Sequence, residues 1–131
     1  MRFMLMMHAP RGSDGDYQVA GWKPEDLRAH IGFMRTLNQE LTKNGELVDA
    51  QGLDTPGAAR VVRVGKDGSP AVTDGPFPET KEFLAGYWLV DVDRPERAYE
   101  IAAKVSSAPG PGGTPVIIPV EVRQVASAPK V

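Results

Sequence analysis

Three strand-like segments of this chain are apolar at both parities. Phe3, Leu5 and Met7 alternate with Met4 and Met6; Tyr87 and Leu89 alternate with Trp88, Val90 and Val92; Val116, Ile118 and Val120 alternate with Ile117 and Pro119. A sheet with one solvated face alternates apolar with polar residues, so these segments need cover on both sides. With 131 residues the chain is one domain, able to bury about two thirds of its unfolded surface without staples. It has no Cys and only 2 His, which removes disulfides, thiolate nucleophiles and Cys- or His-rich metal sites; neither a metal nor a cofactor is expected. A net charge of −2 lacks the basic excess of a nucleic-acid-binding module. The longest apolar run, Phe3 to Met7, is too short for a membrane span or a signal-peptide core, which gives the expectation of a soluble cytoplasmic protein with no membrane partner.

The order of elements is read from periodicity and punctuation. Phe3 to Met7 suits a buried strand, and residues 9 to 23, rich in Gly, Asp and Pro, a surface loop. Pro24, Glu25 and Asp26 mark a helix start and Gly45 its stop. Between them Leu27, Ile31, Met34, Leu37 and Leu41 recur at three-and-four spacing, giving about five turns. The strands ELVDAQGL, Ala59 to Val64 and Pro70 to Thr73 follow, the last two joined by an Asp67-Gly68 hairpin signal. After the strand Ala85 to Val92, Asp93 and Glu96 are spaced as a capping box for a second helix, with Ala98, Ile101, Ala102 and Val105 as its inner face. Val116 to Val125 is the last strand of a single domain over residues 1–125, and 126–131 is a C-terminal tail.

This succession predicts an α+β fold: a ferredoxin-like split βαβ arrangement with one extra hairpin strand. Right-handed crossovers place both helices on one face of the sheet. The other face is then bare and apolar, which predicts a homodimer with sheets face to face, a dimeric α/β barrel. The competing expectation is that loop 9–23, with Tyr17 and Trp22, folds back over the patch.

The segment Asp74 to Glu82 reads DGPFPETKE and leads into Gly86-Tyr87. Asp-Gly suits a tight turn in which Asp accepts backbone amides and Gly takes positive φ, Pro76 stiffens the next step and Phe77 plugs the core. The segment resembles the DGPF signature of the YCII-related (YciI-like) proteins, and the likeness extends to the apolar first strand, the long helix ending near NGELV, the Arg-Val strand and GYWLVDVD. The resemblance implies a dimeric α/β barrel of ferredoxin-like subunits, related to folds that house small-molecule isomerases, lyases and cofactor-free oxygenases. Some YCII-like proteins are associated with a His–Asp dyad, the His near the start of the first helix and the Asp after the second. Here Asp26 stands two residues after Pro24, and Ser106-Ser107-Ala108-Pro109 contains no acid.

At 100° per residue His30 and Asn38 fall within the apolar arc of the first helix. Asp26 lies one turn before His30, the spacing of a carboxylate that orients an imidazole. The expected site is a cleft between helices and sheet for a small cyclic or aromatic molecule. His30, Asp74 and Glu79 are its candidate proton carriers, and Asp26, Lys81, Tyr87, Trp88 and His8 its candidate ligand-binding residues, with Lys81 drawing an anionic group and Tyr87 and Trp88 as walls. The chemistry expected is metal-free acid–base catalysis of the isomerase or lyase type. The alternative from another class is a non-catalytic ligand-binding, sensor or accessory protein of the same fold.

Overall fold

The computed structural model describes residues 1–10, 21–75 and 81–130. In chain order the elements are β1 (Arg2–Pro10), α1 (Pro24–Lys43), β2 (Leu47–Gly52), β3 (Arg60–Val64), β4 (Pro70–Asp74), β5 (Glu82–Asp91), α2 (Pro95–Ser106) and β6 (Val120–Gln124). β2, β5, β1 and β6 form an antiparallel sheet in that order, so the first and last strands of the sheet are neighbours and β5 lies between β1 and β2. This mixed α+β architecture is compatible with the ferredoxin-like arrangement. Both arms of the β3–β4 hairpin form a separate two-stranded sheet, so the insertion adds no strand to the main one. The hairpin turn is the one Asp67-Gly68 signals: Asp67 Oδ1 accepts from Ser69 N at 3.0 Å and Ser69 Oγ at 2.6 Å. That second contact and the Ser69 amide hold the Asp67 carboxyl below its ordinary range.

Parity sorts the side chains of the central ladder. Phe3 pairs with Val90 and Leu5 with Trp88, and all four are buried with Leu37 and Leu41 of α1 and Ala98, Ile101 and Val105 of α2. The intervening pairs, Met4 with Leu89 and Met6 with Tyr87, point to the opposite face and are half-buried. The expectation that this second face is apolar throughout holds for β1 and β5 only. β2 brings Asp49 and Gln51 opposite Leu89 and Tyr87, and β6 brings Glu121 and Arg123 opposite Met6 and Met4. The face is an apolar spine between two polar margins.

Two expected boundaries shift. β6 begins at Val120 rather than Val116, because Pro115 and Pro119 lack the amide a ladder needs. The preceding segment runs irregularly: Val116 and Ile117 donate to the carbonyls of Ala108 and Ser106, and Ile117 is held at φ 51° with its side chain 70% exposed. The second helix has Arg94 rather than Asp93 at its N-cap and starts on Pro95, with no side-chain cap, so the Asp93–Glu96 capping box does not form. In place of a cap, α2 is tied to the α1–β2 turn. Arg97 Nε and Nη2 donate to the two Glu46 carboxylate oxygens at 2.8 and 2.9 Å, and Nη1 donates to Glu100 at 3.1 Å. The Glu46 pair, a half-buried fork-to-fork contact, fixes α2 against the sheet edge.

Replacing Arg97 by Met removes both forks and leaves Glu46 partly desolvated, and urea unfolding at neutral pH is expected to show a loss of about 2 kcal/mol. The guanidinium of Arg97 holds the Glu46 carboxyl below its ordinary value. That contribution is full above the unfolded carboxylate range and vanishes as pH falls through the lowered value, so wild type and Arg97→Met should converge in acid; a gap that persists there contradicts the assignment. At Ile117, φ 51° is costly for a β-branched residue and tolerable for Asn. Ile117→Asn is expected to raise stability by about 1 kcal/mol in the same assay, and a loss would show that the exposed Ile contributes more than its backbone costs.

Candidate functional site

The amphipathic pattern of α1 carries His30 inward with Leu37 and Leu41, and its imidazole is only 5% exposed. Nδ1 lies 2.9 Å from the Pro109 carbonyl oxygen. A carbonyl only accepts, so Nδ1 bears the hydrogen. The Trp22 indole meets the ring edge-on at 5.1 Å between centroids. Asp26, one turn earlier, accepts the Gly112 amide at 3.2 Å. Asp26 and His30 thus each grip the loop after α2, around the 3₁₀ turn Pro111–Gly113.

His30 is one wall of a 340 Å³ cavity between α1 and the β2–β5 side of the sheet. Met7, Met34, Ala50 and Trp88 give it an apolar lining, Asn38 adds an amide, and Gln51 borders it through its backbone, its side-chain amide donating to Asp49 on the other face at 3.2 Å. Trp88 Nε1 donates to Asn38 Oδ1 at 2.8 Å, which locks the indole across from the helix. At Gly86, a Cβ would lie 2.8 Å from the Gln51 carbonyl oxygen, so the close approach of β2 to β5 beside the cavity requires glycine.

The other candidate residues are spread over three places. Trp88 faces α1, while its neighbour Tyr87 faces away, as adjacent strand residues must, and donates from its hydroxyl to Asp49 Oδ2 at 2.8 Å. That bond lowers the Asp49 carboxyl and raises the Tyr87 phenol relative to their ordinary values. Tyr87 and Trp88 therefore do not wall one cleft. His8 also lies on the face away from the helices, where Nε2 is 2.9 Å from Glu121 Oε1. Glu121 went unnoticed in the sequence, although alternation in the last strand sets it opposite Met6.

Asp74 ends β4 with its side chain 96% exposed and 3.5 Å from Arg60 Nε. The Asp74 backbone pairs with Arg60 in the hairpin, and the turn expected to follow runs into residues 76–80, outside the described residues. Gly75 is required by proximity rather than by positive φ: a Cβ would lie 2.9 Å from Val61 Cγ2. Lys81 is exposed on the wall of a separate 740 Å³ groove formed with Trp22, Glu82 and the Pro115–Pro119 segment, which shares no residue with the His30 cavity. Glu79, Phe77 and Tyr17 lie outside the described residues. Among the described residues no helix is long and apolar enough to cross a membrane.

The profile of the YCII-related domain matches residues 1–114, which include α1, the sheet edge and the loop that holds His30. An uncharacterised protein of Rhizobium meliloti is 27% identical over 103 residues, covering 79% of this chain and 82% of its own length. By the extent of the domain match, the chain belongs to the YCII-related family.

Proposed function

We propose that the protein, as a member of the DGPF subgroup, binds a small cyclic or aromatic metabolite in the cavity between α1 and the sheet and acts on it by metal-free proton transfer of the isomerase or lyase type. The observation that carries this reading is the setting of His30: a buried imidazole on the wall of an apolar cavity, its Nδ1–H committed to Pro109. Asn38 provides an amide to orient a polar substituent, and the methionines give the pocket an adaptable wall. A second reading, a sensor or accessory protein that binds without turnover, is favoured by the composition of the same wall. Among the described residues that line it, His30 is the one ionisable group.

The functional unit in this reading is a homodimer closed into an α/β barrel across the bare sheet face. Support comes from the Met4, Met6 and Leu89 spine, which no helix among the described residues covers, and from Val62, Val64 and Val72 of the hairpin, all exposed in the subunit.

Native mass spectrometry of the protein after incubation with a cell extract should recover a small cyclic or aromatic compound. Ala50→Leu, which fills the cavity, should not retain it; equal recovery by both proteins excludes this pocket. His30→Asn reproduces the Nδ1 donor to Pro109 without a basic nitrogen. With the recovered compound it should bind and lose turnover by about 10²-fold or more if His30 moves the proton, whereas a binder without turnover shows no product from either protein. Light scattering at micromolar concentration should give twice the subunit mass for wild type and the single mass for Met4→Lys; a monomeric wild type removes the barrel.

A further inference from the structure

The second imidazole has a different setting. His8 lies on the uncovered face of β1, opposite Leu84 of β5, and its backbone amide is tied to the Pro119 carbonyl at 3.1 Å. Its Nε2 lies 2.9 Å from Glu121 Oε1, and Arg123 pairs with the other carboxylate oxygen. The hydrogen bond from His8, and after it the one from Arg123, outweigh burial and hold the Glu121 carboxyl below its ordinary value. An ionised carboxylate only accepts, so Nε2 bears the hydrogen, and in the neutral ring Nδ1 is then the accepting nitrogen, the reverse of the His30 tautomer. Among the described residues Nδ1 has no hydrogen-bond partner.

His8 borders a 500 Å³ cleft. One wall is the segment after β2, with Leu53, Pro56 and Ala58, and the other is Phe83 and Leu84 of β5. The charged groups on the cleft are the exposed carboxylates Asp54 and Glu82. Carboxylates at the rim repel an anion, an apolar lining favours an uncharged ring, and one accepting nitrogen rewards one N–H or O–H donor. This cleft shares only Leu53 with the His30 cavity, and His8 and Leu84 on its wall face away from the helices.

We propose that the cleft between residues 53–59 and β5 is a second small-molecule site, taking a neutral aromatic molecule with a phenolic O–H or a ring N–H that donates to His8 Nδ1. Glu121 is the positioning residue that fixes the ring tautomer. The site stands apart from the His30 cavity and does not depend on it.

Phenol, toluene and benzoate are the probes, titrated into the full-length protein and followed by NMR of the histidine rings and leucine methyls. Phenol should shift the His8, Leu53 and Leu84 signals saturably, toluene should bind about tenfold more weakly for want of the donor, and benzoate should leave them unmoved. His8→Gln keeps an N–H for Glu121 and lacks Nδ1, so its phenol affinity should fall to that for toluene. In ¹⁵N spectra the wild-type His8 ring should be the Nε2–H tautomer, and Glu121→Ala should give a mixture. Equal affinity of wild type for phenol and toluene, phenol binding unaltered by His8→Gln, or phenol shifts confined to His30 and Trp88 each overturn the site; an unchanged tautomer in Glu121→Ala overturns the role of Glu121. The phenol–toluene comparison needs no variant, so it decides even if His8→Gln does not fold.

Discussion

The register of β1 against β5 fixes nearly everything else in the molecule. With Leu5 opposite Trp88 and Phe3 opposite Val90, the odd residues of β1 from Phe3 to Ala9 and Trp88 and Val90 of β5 enter the core beneath the helices. A slip of one residue would exchange the two sets and turn His8 inward. Because the register holds, Trp88 becomes a wall of the helix-side cavity and reaches Asn38, while Tyr87 and His8 go to the other face with Asp49 and Glu121. The shift between Met7 and His8 occurs where Ala85 and Gly86 of β5 are both buried, so the even spacing of β1 continues as β5 accommodates the extra residue.

The helix side depends in addition on a loop that the sequence presents as unstructured. Between Pro109 and Pro115 the chain has few side chains with which to pack, and it is held through backbone groups: the Pro109 carbonyl by His30, the Gly112 amide by Asp26, the Gly110 amide by the Thr114 carbonyl. Gly110 is packed so closely that a Cβ would lie 2.8 Å from Val116 Cγ1. The histidine that lines the cavity is thus also a clamp on the loop.

The helices, the central strands and the hairpin turn were legible in the sequence because each follows from a local rule: apolar spacing in α1 and α2, contiguous apolar runs in β1 and β5, an Asp-Gly turn between β3 and β4. The burial of His30 was legible from its angle on the helix. What the sequence did not reveal was set at long range. That Asp26 and His30 each reach across to the loop after α2, 86 and 79 residues away, depends on tertiary docking. The start of β6 was misread because the apolar run through Val116 to Val120 looks like a strand, while the two prolines and the φ of Ile117 break the ladder there. Polar residues on β2 and β6 were present in the sequence, but only pairing to the central strands shows that Asp49, Gln51, Glu121 and Arg123 all edge one face.

The two histidines show how one residue type takes two settings on opposite faces of one sheet. A carbonyl partner for His30 adds no net charge beside the apolar lining of the cavity. A carboxylate partner fixes the opposite tautomer of His8, and Arg123 balances that carboxylate from its other side, leaving the imidazole's accepting edge beside the cleft margin rather than in a bare field of negative charge. In each case the partner comes from the chain between α2 and the end of β6, which packs along the outer edge of β1 and over the start of α1. The Pro109 carbonyl that meets His30 and the Pro119 carbonyl that takes the His8 amide thus bound one irregular run of chain, which enters β6 at Val120.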